Sequence, residues 1–379
     1  MKTKRNGKIE LLRFIFCMTV VFFHINTYLF KGKLTLFGDF KFFHFGYIGV
    51  EFFFLLSGFL LAKSALKRAS LSTDPLPAAP GTLGSETVSF IKGKVMPLMA
   101  PHTIAFVLCF ITVCIIEQIN GVEIISALIK AVPGYLFFNK TGISSKNING
   151  VEWYIGCMLL SMVVIYPLCR KYTKLYTNVF APILGIFILG FILHNYSSVA
   201  NVKVYAGFMY KCQLRAFAEI NLGVSAFAVS EKLKTLNFSK GGRIAVTVAE
   251  AILVIYVLLF STSSEKSDMA SYAILALYAA VVIIFSDVSY GKALFDNKFF
   301  LFLGKLSLPI YMIQLFAIRL YQIVLPQLVS RKLVTTCLVT LFVLVSGVLL
   351  YFASKPLDKL LNKTIEKLNG KAPAQKISG

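Results

Sequence analysis

Three side chains in this sequence have types and spacing suited to chemistry. They are Glu10, Arg13 and His24, set in the otherwise apolar stretch ELLRFIFCMTVVFFHINTYLF at residues 10–30. On an α-helix, at about 100° per residue, the eleven steps from Arg13 to His24 return to within roughly 20° of the starting direction and climb roughly 16 Å. Glu10, one turn before Arg13, falls within about 60° of the same face. A stretch of this length and apolarity spans a bilayer, where ionisable groups are expensive and turn toward a protein interior or a wet cavity. A neutral imidazole held there is a candidate general base, because the ordinary pKa of histidine lies near working pH. A guanidinium below it can hold an anion, and an acid one turn away can orient that guanidinium. A plainer reading, an arginine snorkelling to the membrane edge, accounts for Arg13 and leaves His24 unexplained.

Positioning such a stripe takes a helical bundle, and the composition calls for one. Of 379 residues, 57% are hydrophobic and 15% charged, with a mean hydropathy of +0.75, outside the range of soluble domains. The expected fold class is all-α: a polytopic membrane protein with about ten transmembrane helices in one bundle. Apolar runs long enough to span lie at roughly 11–30, 46–66, 97–117, 151–169, 177–194, 213–230, 243–261, 269–286, 300–324 and 333–352. The segment 124–138 is short, broken by Lys130 and Pro133-Gly134, and is expected to be re-entrant or interfacial. Residues 69–89, rich in Ser, Pro and Gly, read as a flexible connection. Residues 139–150 are polar and Gly/Asn-rich. Residues 1–355 are expected to form the membrane domain and 356–379 a basic cytoplasmic tail.

A net charge of +22 would point to nucleic acid in a soluble domain. Here the basic residues gather at helix ends and in short loops, where they set topology and meet anionic headgroups. Membrane lipid, and not nucleic acid, is the implied contact. With the amino terminus inside, the inner segments carry more than twice the Lys and Arg of the outer ones. That bias predicts an integral plasma (inner) membrane protein with both termini cytoplasmic. The seven cysteines form no CxxC pair and the four histidines no HxxxH cluster, so no metal site is expected.

The second span, GYIGVEFFFLLSGFLLAKSALKR at 46–68, adds Glu51, a second acid at lipid depth that needs a partner. Its Ser57-Gly58 pair is small enough to permit close helix contact. In the sixth span Arg215 and Glu219, four residues apart, read as an ion pair on one helix face, structural before pocket-lining. His44, His102 and His194 lie near expected helix ends and read as interfacial.

Together, KIELLRFIFCMTVVFFH and GYIGVEFFFLLSGFLL resemble the acyltransferase 3 family, integral-membrane enzymes that O-acylate surface glycans. The family's first-helix Arg and His, with an acid three residues before the Arg, are matched by Arg13, His24 and Glu10. Its G-V-acid-aromatic run ending in S-G-F is matched by Gly49, Val50, Glu51 and Phe52, then Ser57, Gly58 and Phe59. Further likenesses are Trp153-Tyr154-Ile155 leading to Tyr166-Pro167, Arg215-Ala216-Phe217 leading to Leu222-Gly223, and FLFLGKLS at 300–307 followed by Ile310-Tyr311. The resemblance covers roughly 10–350. Two departures stand out. Pro97 occupies the place of the second Arg in the family's R-x-x-R pair, leaving Lys94 as a point charge without the guanidinium fork. Gln314 stands where many relatives have a histidine.

The resemblance implies acyl transfer from a cytoplasmic acyl-CoA, acetyl-CoA in the simplest case, to a hydroxyl of a cell-surface or lipid-linked glycan. Acyl-CoA enters as co-substrate, with no tightly bound cofactor. In that scheme His24 is the base, and Arg13 contacts the donor phosphates with Lys63, Lys67 or Lys94. Glu10 orients Arg13, while Glu51 either pairs with a cation or holds His24 in its tautomer. A rival reading is a transporter or flippase for a glycan lipid or anion, since buried charges also line transport paths; the sequence shows no pair of matching halves. A membrane scaffold is a third.

Overall fold

The computed structural model describes residues 5–38, 40–71, 80–143, 146–263 and 269–368. Helix α1 (Gly7–Phe30) opens on Asn6, whose side-chain oxygen accepts from the backbone N–H of Lys8 and Ile9, and closes on Lys31 in the left-handed conformation. A small antiparallel hairpin, β1 (Thr35–Leu36) with β2 (Phe40–Lys41), and a 3₁₀ turn (Gly46–Ile48) lead into α2 (Gly49–Leu71). Next come α3 (Pro80–Ile116), α4 (Val122–Tyr135), α5 (Glu152–Lys171) and the single turn α6 (Thr173–Leu175). A π-helical stretch (Tyr176–Phe180) runs into α7 (Ala181–Tyr196). A second hairpin, β3 (Tyr205–Ala206) with β4 (Met209–Tyr210), precedes α8 (Lys211–Lys234). The chain finishes with α9 (Lys240–Ser261), α10 (Ala270–Ser286), α11 (Lys292–Phe295), α12 (Lys298–Val324) and α13 (Lys332–Leu368).

Eight helices among the described residues are long and apolar enough to cross a membrane, against the ten expected from the sequence. The other two expected spans are helices of the same bundle. α10 is only 17 residues long, and α8 carries polar side chains along its length. Position explains why α8 can be polar. It is sheathed by α2, α5, α7 and α10, and Arg215, Glu219 and Asn221 are at most 1% exposed. Such groups are paired against protein and not against lipid.

Close approach of α2 and α8 rests on two glycines. A Cβ on Gly58 would lie 2.0 Å from the Ile220 carbonyl oxygen, and one on Gly223 would lie 2.0 Å from that of Leu55. The packing role expected of Gly58 is therefore its observed role, and the S-G-F and L-G segments meet face to face. α1 and α12 are likewise tied along their length. The Gly7 N–H donates to Asp296 Oδ1 at 2.7 Å, a Cβ on Gly304 would strike Glu10 Oε2, and Gln322 Nε2 donates to the Tyr28 carbonyl at 3.3 Å. These contacts make α1 and α12 parallel.

α13 then returns antiparallel to α12. Tyr321 donates to Thr335 Oγ1 at one end, and the rings of Tyr351 and Phe302 meet at the other. The described ends of the chain, at Arg5 and Leu368, therefore lie toward one side of the bundle, called here the terminal face; the other is the far face.

One connection differs from expectation. α2 runs on to Leu71 and α3 begins at Pro80, so the described part of the stretch 69–89, expected to be flexible, is helical throughout; residues 72–79 lie outside the described residues. Proline fits a first helical position, and tertiary contacts hold the extension. Phe90 stacks on Tyr166 at 4.1 Å, and Arg170 Nε donates to Glu86 at 3.0 Å. At the other end α13 runs through Pro356 to Leu368 without a break, so the described part of the basic tail continues the last helix. α4 matches its expectation as a piece too short to span, with Ile125, Ile129 and Val132 exposed and Ala127, Ala131 and Gly134 buried.

Candidate active site

The common face expected for Arg13 and His24 points into the bundle at two levels, and each side chain lines a cavity. His24 lies in a cavity of about 810 Å³ near the far face, walled by α1, α2, α5, α8 and α12 and by the loops around 139–150 and 200–210. Arg13 lines a smaller one, about 360 Å³, at the terminal face. The shared helix face thus serves two separate cavities.

His24 is held by a residue that the sequence marked only as a departure. Its Nδ1 lies 2.8 Å from Gln314 Oε1, and Gln314 Nε2 donates to the Tyr311 backbone carbonyl, also at 2.8 Å. A carbonyl oxygen only accepts, so the amide nitrogen must face it and the amide oxygen must face the imidazole. His24 therefore donates through Nδ1–H, and the lone pair remains on Nε2, the nitrogen left for the cavity. Gln314 is fully buried. Tyr311 is fixed in turn through its hydroxyl, which donates to the Val151 carbonyl at 2.8 Å. α12 also pins the polar loop over the cavity: Asn149 Nδ2 donates to the Met312 carbonyl at 2.9 Å, and Arg319 Nη1 to the Ile148 carbonyl at 2.6 Å.

Glu51 resolves to the first of its two expected roles. It grips Arg215 with both oxygens, Oε2 accepting from Nε at 2.7 Å and Oε1 from Nη2. This is the bidentate geometry that a planar guanidinium favours. Glu51 does not hold the His24 tautomer; Gln314 does. The expected i,i+4 pair of Arg215 with Glu219 is present at 3.5 Å as the looser contact, and both Glu219 oxygens lack a hydrogen-bond partner among the described residues. Arg215 lines the His24 cavity, with the rings of Trp153 and Tyr47 5.7 and 5.9 Å from its guanidinium carbon. Of the two roles its spacing left open, structural and pocket-lining, Arg215 serves both; what the sequence missed is its partner on α2. The available signal was the partnerless Glu51 on another span.

At the terminal face Glu10 sits between two guanidinium groups, 3.6 Å from Arg5 Nη1 and 3.6 Å from Arg13 Nη1. The absent side chain of Gly304 makes room for it, a local reason for the glycine within FLFLGKLS. Arg13 Nε is buried without a hydrogen-bond partner among the described residues, so the guanidinium keeps donor capacity. Lys63 lines this cavity with Arg13; Lys234 and Lys292 do so as well, each paired with an acid of the same lining, Glu231 and Asp287. Lys67 and Lys94 do not line it; Lys94 lies over the Phe90 ring at 5.2 Å, within electrostatic reach of Arg13.

Between the two cavities lies a packed layer. Phe16 and Phe52 are fully buried with ring centroids 4.7 Å apart, Phe54 meets Tyr154 at 4.6 Å, and Ser57 Oγ lies 3.5 Å from the Tyr154 hydroxyl. The remaining histidines stand apart from both cavities. His44 Nε2 contacts the Leu34 carbonyl at 2.9 Å, and His194 is exposed. His102 is not interfacial: it is 1% exposed, with Nε2 2.8 Å from the Tyr135 carbonyl, because α3 begins well before the expected span and carries it into the interior.

Apolar helices enclosing an oriented imidazole on one side and a charged chamber of basic and acidic side chains on the other define an integral membrane protein with a buried polar site. Residues 6–358, nearly the whole chain, match the acyltransferase 3 family, described as an acyltransferase domain. The chain belongs to that family, and the protein is a membrane acyltransferase. No curated protein and no solved structure matches it.

Proposed function

We propose that this acyltransferase moves an acyl group, acetyl in the simplest case, from acyl-CoA to a hydroxyl of a cell-surface or lipid-linked glycan. In this reading the terminal face is cytoplasmic and the membrane is the plasma (inner) membrane, in keeping with the excess of basic residues in the segments on that side. The observation that carries the proposal is the His24–Gln314–Tyr311 chain, which leaves a basic nitrogen on the wall of a cavity large enough for sugar rings.

Arg13 and Lys63 bind the phosphates of CoA at the terminal face, with Glu10 steering Arg13. The pantetheine arm brings the thioester up toward His24. For this the Phe16–Phe52–Tyr154 layer must part, which makes a side-chain movement part of the cycle. His24 Nε2 takes the proton of the acceptor hydroxyl as its oxygen attacks the thioester carbonyl. The C–S bond then breaks, and the imidazolium returns its proton to the departing CoA thiolate. The rings and amides around His24 suit a sugar, with C–H faces against Trp153 and Tyr47 and hydroxyls toward Asn139, Asn147 and Asn201.

The test is His24→Ala, assayed with radiolabelled acetyl-CoA and purified protein in lipid nanodiscs. Transfer to glycan should vanish while the protein remains monodisperse. Full transfer by this variant would end the assignment, and movement of a glycan lipid without label transfer would favour transport.

A further inference from the structure

The charge of the His24 cavity is one-sided. Its described lining includes Lys140, Lys203 and Arg215 and no carboxylate. Arg215 is already neutralised by Glu51, which is fully buried behind it. The two lysines are different. Lys140 comes from the loop after α4, and Lys203 from the loop after α7. Neither makes an ion pair among the described residues; Lys140 Nζ rests 5.4 Å from the Tyr210 ring. Two lysines lining one concave, partly enclosed surface, Lys203 among its exposed residues, attract an anion and focus its approach.

A second observation agrees. The far face carries Lys31, Lys33, Arg331 and Lys332 beyond the cavity. If that face is the outer one, the positive-inside tendency works against placing them there, so their presence calls for another cause. An acidic substrate supplies it, since complementary charge raises the encounter rate and fixes register.

We infer that the acceptor is an anionic glycan, whose carboxylate or phosphate is held by Lys140 and Lys203 while one of its neutral hydroxyls faces His24. The inference rests on reading the His24 cavity as the acceptor site. The same negative charge has two possible sources: an acidic sugar within the chain, or the phosphate that joins a glycan to a lipid carrier.

Trp153 is the single tryptophan of the chain and lines this cavity, so its fluorescence reports occupancy without any acyl transfer. The full-length protein in nanodiscs would be titrated with a galacturonic acid trisaccharide, a galactose trisaccharide and a prenyl-diphosphate-linked galactose. At least one anionic probe should saturate the Trp153 signal at tenfold or more lower concentration than the neutral trisaccharide. That preference should weaken as salt rises and disappear in Lys140→Gln/Lys203→Gln. Tighter binding of the trigalacturonate places the charge in the sugar; tighter binding of the diphosphate alone places it in the lipid linkage. Equal binding of all three probes, or an unchanged preference in the double variant, overturns the inference. His24→Ala separates the two levels of argument. If it still transfers acyl groups, the base assignment fails whatever the titration shows; if it is inactive yet keeps the anion preference, both stand.

Discussion

Gln314→Leu removes two hydrogen bonds and leaves the size of the side chain nearly unchanged. In the native protein the amide is fixed at both ends, by the Tyr311 carbonyl and by His24 Nδ1, each at 2.8 Å. Without it, the Nδ1–H of His24 loses its acceptor, and the imidazole is free to carry its proton on Nε2, which then has no lone pair for the acceptor hydroxyl. Leaving one buried donor unpaired costs about 1–3 kcal/mol. At 1.36 kcal/mol per tenfold in rate, that corresponds to a fall in kcat of about 5- to 150-fold. The KM for acyl-CoA should not move, because Arg13 and Lys63 bind the donor in the other cavity. Gln314→Glu, which keeps an oxygen facing Nδ1–H, should retain more activity than Gln314→Leu. Steady-state assays varying acyl-CoA and acceptor separately would check this. The reasoning is refuted if Gln314→Leu keeps kcat within twofold, or if its loss lies wholly in the acyl-CoA KM.

Arg13→Ala should raise the KM for acyl-CoA about 10- to 150-fold, the worth of one charge-assisted hydrogen bond at about 1.5–3 kcal/mol, with a smaller change in kcat. Competition with free CoA in a binding assay reads the same loss directly. Arg215→Met leaves Glu51 and Glu219 together without a cation and should lower the yield of monodisperse protein after detergent extraction. Adding Glu51→Gln to it should recover part of that yield, since removing both partners of a buried pair costs less than removing one. Gly58→Ala places a methyl group 2.0 Å from the Ile220 carbonyl oxygen and should cost about 1–3 kcal/mol by forcing α2 and α8 apart. Its thermal aggregation temperature in detergent should fall, while an unchanged value would show that the helix pair tolerates separation.

Much of the membrane architecture was legible because bilayer thickness turns apolar length into topology. The inward face shared by Arg13 and His24 was legible too, since helix period is a local property. The two missing candidate spans mark the limit of that logic. α10 falls short in length, and α8 is polar because other helices enclose it. The beginning of α3 was hidden by its Pro, Ser and Gly content, although Phe90–Tyr166 stacking and the Glu86–Arg170 pair sustain the helix.

The sequence by itself determined the helical membrane class, the family, and the placing of an acid, a guanidinium and an imidazole along one side of α1. These follow from periodicity and from motifs within single segments. The tertiary structure alone decided that Arg13 and His24 open on separate cavities, that Glu51 belongs to Arg215, and that Gln314 sets the tautomer of His24. The last two join side chains from different helices, 164 and 290 residues apart. Hydrogen bonding is set by ångström-scale distance, and only packing of the whole bundle brings such distant positions within its reach.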